Sequence, residues 1–187
     1  MPIASGVNWV DRFPTRADIG GCVSPFRENL EAFVAALKSA GAAVTINATL
    51  RPPERAYLMH GCWVIAHGKD PRTVDPMAGV DIDWVARDGN DQPDLAKSRL
   101  IAQEMVKAYG IVAEPSLTSL HIKGLAVDMD ISWAGSLKIA DKSGTMHTIS
   151  SAPLDGTNLR LADIGRSYGV IKAAFGTDPP HWSSTGR

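Results

Sequence analysis

Two short stretches carry side chains whose types and spacing suit metal chemistry. Ser119 to Asp128 reads S-L-H-I-K-G-L-A-V-D and places His121 and Asp128 seven positions apart. Further on, T-D-P-P-H-W places Asp178 three positions before His181. Imidazole nitrogen and carboxylate oxygen are ligands that zinc holds at about 2.0–2.2 Å, and a catalytic zinc takes three protein ligands and leaves a position for water. His121 and Asp128 cannot reach one ion from a regular element. Seven extended residues span roughly 23 Å and seven helical ones roughly 10 Å. The chain must turn back between them, and Gly124 is the residue able to take the backbone conformation such a turn needs.

Beyond Gly124, L-A-V-D-M-D-I alternates as a strand. Leu125, Val127, Met129 and Ile131 point one way, while Ala126, Asp128 and Asp130 point the other. One face is core and the other carries carboxylates, which suits a strand lining a cleft. In the second stretch, Pro179 and Pro180 stiffen the chain and fix the offset between Asp178 and His181. Such a pair divides the labour: His181 binds metal, and Asp178 holds the attacking water and takes its proton. His60, His67 and His147 lack a carboxylate at useful spacing. Plainer roles stand beside these. Asp178 is also a turn residue before a proline, Ser119 is able to bond only backbone, and Trp182 and Trp133 serve either as core or as an apolar wall beside a cleft.

S-x-H-x-x-G-x-A-x-D, followed far downstream by an acidic residue, two positions and H-W, resembles the zinc peptidases of peptidoglycan. These are the LAS, or M15-like, metallopeptidases. They include D-alanyl-D-alanine carboxypeptidases and dipeptidases of the VanX and VanY type and phage L-alanyl-D-glutamate endolysins. T-L-R-P-P-E-R resembles the family's strand-end arginine followed by a helix. The resemblance implies zinc as cofactor, with His121, Asp128 and His181 as its ligands. It implies Asp178 as catalytic base, and Arg51 as the cation facing the scissile carbonyl or a substrate carboxylate. Ser119 is then a substrate contact, and Trp182 a candidate one. Many members have glutamate where Asp178 stands. Arg51 also reads, more plainly, as a surface residue at a strand end.

The elements that must position these residues follow from pattern. Residues 25–40 place Phe26, Leu30, Phe33, Val34 and Leu37 at helical spacing, with Ser24 as N-cap and Gly41 as stop. A strand is predicted from about Ala43 to Leu50, ended by Pro52 and Pro53, and a second helix starts near Pro53 or Glu54. Residues 68–92 read as a long loop around the short apolar piece G-V-D-I-D-W-V. A third helix runs from about Asp94 to Tyr109, with Leu95, Leu100, Ile101, Met105 and Val106 as its buried face and Gly110 as its end. L-K-I-A-D-K-S-G-T-M-H-T-I reads as a β-hairpin turning at D-K-S-G, and N-L-R-L-A-D-I-G-R-S-Y-G as a last helix. The mixed order predicts an α+β fold, with a small, mainly antiparallel sheet flanked by helices. The resemblance adds a zinc site in a cleft over that sheet, as in the hedgehog and DD-peptidase folds.

Composition bounds the rest. The 187 residues fit one domain, 1–187, and are enough to bury a core. A net charge of -1 with scattered Lys and Arg gives no nucleic-acid footprint. No apolar run is long enough for a membrane span, and the first residues carry no signal-peptide pattern. Cys22 and Cys62 lack metal or redox spacing and read as two free, partly buried thiols, with a single disulfide as the alternative.

The expected function is a zinc-dependent hydrolysis of amide bonds in bacterial peptidoglycan peptides. It is of the DD-carboxypeptidase or LD/DD-endopeptidase kind. The site of action is the cell wall in the periplasm, reached by lysis or dedicated secretion. A secreted effector of this kind needs an immunity protein. A metal-containing wall-binding module without catalysis, and a metallopeptidase acting on a non-wall peptide, are the alternatives.

Overall fold

The computed structural model describes residues 2–174 and 178–187. In chain order the elements are β1 (Ile3–Ala4), α1 (Phe26–Ser39), β2 (Ala43–Ala48), α2 (Pro53–Ala66), β3 (Ile82–Asp83), α3 (Leu95–Tyr109), β4 (Ala126–Ser132), β5 (Leu137–Ala140), β6 (Met146–Ile149), α4 (Leu159–Ser167), β7 (Ile171–Lys172) and β8 (His181–Ser183). The fold is α+β, and its sheets are mainly antiparallel; β1 and β3 form the parallel exception. The chain divides into two compact units built from interleaved segments. No helix among the described residues is long and apolar enough to cross a membrane.

The first unit takes the N-terminal residues to Pro14 and Pro52–Thr118. Pro53 opens α2 at a position where its missing N–H costs nothing. Asp94 caps α3 by accepting from the Lys97 N–H at 2.9 Å, and Gly110 ends it at φ 67. The core of this unit gathers Trp9, Leu58, Cys62, Ile65, Val80, Trp84, Ala102 and Met105. On the buried face of α3, Met105 is buried and Val106 packs against the core as expected, but the face is otherwise shifted. Ser98, Ala102 and Met105 are buried, whereas Leu95 and Leu100 are exposed. Ser98 takes an inward place because its hydroxyl is bonded on both sides, donating to Asp94 O and accepting from Ala86 N–H.

The second unit takes Thr15–Arg51 and Ser119–Arg187. Helix α1 buries Phe26, Leu30, Phe33, Val34 and Leu37, the five residues its spacing indicated. Its start differs by one residue. Pro25 holds the cap position, and the Ser24 hydroxyl donates instead to Glu28 Oε1 at 2.5 Å. A four-stranded antiparallel sheet in the order β2-β4-β8-β7 lies at the centre. Its inward face meets α1 and α4 through Val127, Met129, Ile131, Trp182, Phe33, Leu37, Leu161 and Ile164. Each such side chain contributes about 1.5–3 kcal/mol on burial, so this packing is what holds the sheet in register. Strand β2 carries a bulge between Ile46 and Ala48, and Asn47 there donates its amide to Asp130 at 2.8 Å. The predicted hairpin is β5–β6.

Both cysteines are free and buried. Burial pushes the Cys22 thiol up to about 11 and the Cys62 thiol up to about 12, so neither is a ready thiolate at neutral pH.

Candidate metal centre

Cross-strand register does the first part of the assembly. Strands β4 and β8 pair so that Asp128 stands opposite His181 and Val127 opposite Trp182. Opposite residues share a face, with their Cβ atoms about 4.5–5.5 Å apart. Alternation therefore sends Val127 and Trp182 into the core and brings Asp128 and His181 together on the other side. Trp182 is 0% exposed and packs on Phe33 at 5.5 Å between ring centroids. This corrects its reading as a substrate wall. It cannot line a cleft, because its neighbour His181 occupies the opposite face.

His121 arrives by a different device. Residues Leu120–Lys123 form one 3-10 turn, capped by the Ser119 hydroxyl, which accepts from the His121 N–H at 3.3 Å. Gly124 ends the turn at φ 65, as the sequence required. A Cβ there would also lie 2.8 Å from Gly21 O, so both conformation and space demand glycine. The Arg51 N–H donates to His121 O at 3.1 Å and ties the end of the β2 segment to this turn.

The result is three ligand atoms in mutual contact. His121 Nε2 is 3.1 Å from Asp128 Oδ1, His181 Nδ1 is 3.0 Å from the same oxygen, and the two nitrogens are 3.2 Å apart. His121 and His181 are buried, and Asp128 is half-buried. The other nitrogen of each ring is already engaged. His121 Nδ1–H donates to Thr49 O at 2.7 Å, and His181 Nε2–H donates to Arg187 O at 3.1 Å. A main-chain oxygen only accepts, so these contacts fix both tautomers. Each neutral ring then aims a lone pair at the same point as the Asp128 carboxylate. Three converging acceptors repel one another unless a cation lies among them. A tetrahedral ion with bonds of about 2.0 Å sets its ligands roughly 3.3 Å apart, close to the spacings found. The residues fit a metal ion.

A proton competes with a cation for that point, and the electrostatics of the ion-free cluster are those of protonated rings. Burial works against the charge of Asp128, but hydrogen bonds to His121 and His181 outweigh it, and the carboxyl is held far below the usual range. Burial likewise disfavours charge on His181, yet the bond to Asp128 prevails and raises its pKa.

Asp178 lies just outside the cluster, its Oδ2 3.8 Å from His181 Nδ1 with half of the side chain exposed. Its main-chain oxygen accepts from the His181 N–H at 3.2 Å, so it also makes the turn that its place before proline suggests. Lys172 braces the same segment. Its ammonium donates to Pro179 O and to His181 O, and lies 5.1 Å from the Trp182 ring centroid. Burial lowers its pKa. A cavity of about 170 Å³ adjoins β4, lined by Asp130, Asp155, Thr157, Pro179 and Pro180 among others.

Several parts of this arrangement have no sequence signature. Thr49 is fully buried, with its single hydroxyl proton shared between Asp18 O at 2.8 Å and Arg16 O at 3.1 Å, and its carbonyl serves His121. Arg187 serves His181 in the same way. A carbonyl carries no residue code, so spacing cannot reveal it. The remaining histidines need a correction too. His147 has a carboxylate partner, because the β5–β6 hairpin folds Asp141 Oδ2 to 2.9 Å from its Nε2. His60 Nδ1 lies 3.6 Å from Glu114 and donates to Pro115 O. Neither pair belongs to a cluster of three ligands among the described residues.

The chain matches no protein-family model, no curated protein and no solved structure. The site therefore stands on its own geometry.

Proposed function

We propose that the protein is a zinc-dependent peptidase that hydrolyses amide bonds in bacterial peptidoglycan peptides. It is of the DD-carboxypeptidase or LD/DD-endopeptidase kind found in the LAS, or M15-like, group. The observation that carries the reading is the convergence of His121 Nε2, Asp128 Oδ1 and His181 Nδ1, with both outer nitrogens committed to main-chain oxygens. Zinc held there supplies a Lewis acid that acidifies water and polarises a carbonyl.

The chain's own residues supply the rest. Asp178, beside His181 and open to solvent, takes the proton of the attacking water and passes it to the leaving amine. The exposed side of its carboxylate leaves room for water to approach. Arg51 sits at the strand end joined to His121, and its guanidinium balances the oxyanion or holds a substrate carboxylate. Ser119, which caps the ligand turn, offers its hydroxyl to substrate beside the metal. The substrate is a wall peptide rather than nucleic acid. The protein works at the wall in the periplasm, after lysis or dedicated secretion, and in the second case an immunity protein guards the producer.

The test is mass spectrometry of peptidoglycan fragments after treatment with native and with metal-stripped protein. New peptide termini from the native form alone are expected. Unchanged fragments from zinc-loaded protein would remove the wall peptide as substrate.

A further inference from the structure

We propose that the turn Ser183–Arg187 is the positioning element of the metal centre. It holds His181 with Nδ1 toward Asp128 and so sets the affinity for zinc. This rests on the zinc reading above.

An imidazole is able to ligate through either nitrogen, and which one is free depends on the bond the other makes. His181 Nε2 lies 3.1 Å from Arg187 O. Nδ1 is thereby left as the lone pair that faces Asp128 Oδ1 at 3.0 Å. The position of Arg187 O in turn depends on Ser183. The fully buried Ser183 hydroxyl accepts from the Gly186 N–H at 2.9 Å and from the Arg187 N–H at 3.1 Å, and it donates to Arg187 O at 3.1 Å. Gly186 at φ 76 lets the chain close this loop.

Ser183 is two residues from His181 on β8, so both side chains leave the same face of the strand. The strand is fixed on both sides, since Ser183 pairs with Ala126 of β4 and with Ile171 of β7. Sheet rigidity therefore passes to the Ser183 hydroxyl, from there to the Arg187 main chain, and so to the imidazole. Thr49 O does the equivalent work for His121 from a residue whose own hydroxyl is anchored twice. The two holders differ in kind. One belongs to the end of a strand, the other to a short turn secured by a single hydroxyl.

The experiment measures zinc affinity of the full chain by competition with a chromophoric chelator, in wild type, Ser183→Ala and a chain lacking Arg187. Partners of this sort are worth about 10–100-fold in metal affinity. Both variants are expected to bind zinc weaker by that factor. The visible absorption bands of the cobalt-loaded variants are expected to move as well, because the imidazole tilts. Arg187 is exposed, so its deletion keeps the test alive if Ser183→Ala does not fold. Zinc affinity within about twofold of wild type, with unmoved cobalt bands and only a lower Tm, overturns the proposal. Wild type that binds no zinc ends both this proposal and the zinc reading. Wild type that binds zinc but cuts no wall peptide ends the peptidase reading alone, and the variant affinities still decide this one.

Discussion

The β4–β8 cluster and the β5–β6 hairpin both bring a histidine against an aspartate, and they are built for opposite ends. In the hairpin, Asp141 is shared among the Ser143 hydroxyl, the Ser143 and Thr145 N–H groups and His147. Every bond there has a donor, and the His147 ring is substantially exposed. The pair closes a turn and needs nothing more. In the β4–β8 cluster the donors point outward, to Thr49 O and Arg187 O, and three acceptors point inward. A histidine beside a carboxylate is thus no metal site in itself. What distinguishes one is where the imidazole protons go, and whether burial keeps water from taking the place of the cation.

The comparison breaks most sharply on metal content. His181→Ala is expected to lose the ion of about one per chain that a three-ligand site holds, while His147→Ala retains it; elemental analysis after gel filtration reads both. Equal zinc loss in the two variants would erase the distinction. Next in size, Asp178→Ala is expected to keep zinc and lose turnover by about 10²–10⁴-fold, the usual worth of a general base, in steady-state assays on muropeptides. Full activity in that variant sinks the mechanism.

The glycines of the two regions give a stability contrast. Gly124→Ala meets both the left-handed conformation and a main-chain oxygen 2.8 Å away, and is expected to cost at least about 2 kcal/mol in urea melts. Gly144→Ala, at φ 89 with nothing within 4 Å, carries only the conformational part, about 1–2 kcal/mol.

The smallest effect is electrostatic. The Ser143 hydroxyl and then His147 hold the Asp141 carboxyl well below the usual range. A carboxyl lowered by folding stabilises above its unfolded value of about 3.9 and loses that contribution as pH falls toward the folded one. Asp141→Asn is therefore expected to lower Tm slightly at pH 7. The gap from wild type should close as pH falls below about 4; a gap that widens on acidification contradicts the sign.

Much of the positioning was legible in sequence because it rests on local rules. Gly124 was read as the turn, and the alternation of Leu125 to Ile131 gave the two faces of β4. The hairpin turn and the stop at Gly110 follow from backbone chemistry alone. Legibility failed where tertiary contact overrides pattern. Leu95 and Leu100 have the apolarity for a buried face, but the inward side of α3 goes to Ser98 and Ala102. Trp182 had the size for a cleft wall, and only its register against Val127 shows that it is core. His147 reads in sequence as lacking a carboxylate at useful spacing, yet Asp141 lies six residues before it and meets it at 2.9 Å. A hairpin makes such a spacing close.

The register of β4 against β8 has one more consequence. Because strand side chains alternate, a slip by one residue exchanges the faces of β8. Trp182 would then stand in the metal cluster, and His181 would be driven into the hydrocarbon interior beside Phe33. Only His121 and Asp128 would remain together, one ligand short of the cluster. A metal ion held by all three residues would therefore report on the strand pairing, since only the correctly paired sheet presents His181 beside Asp128.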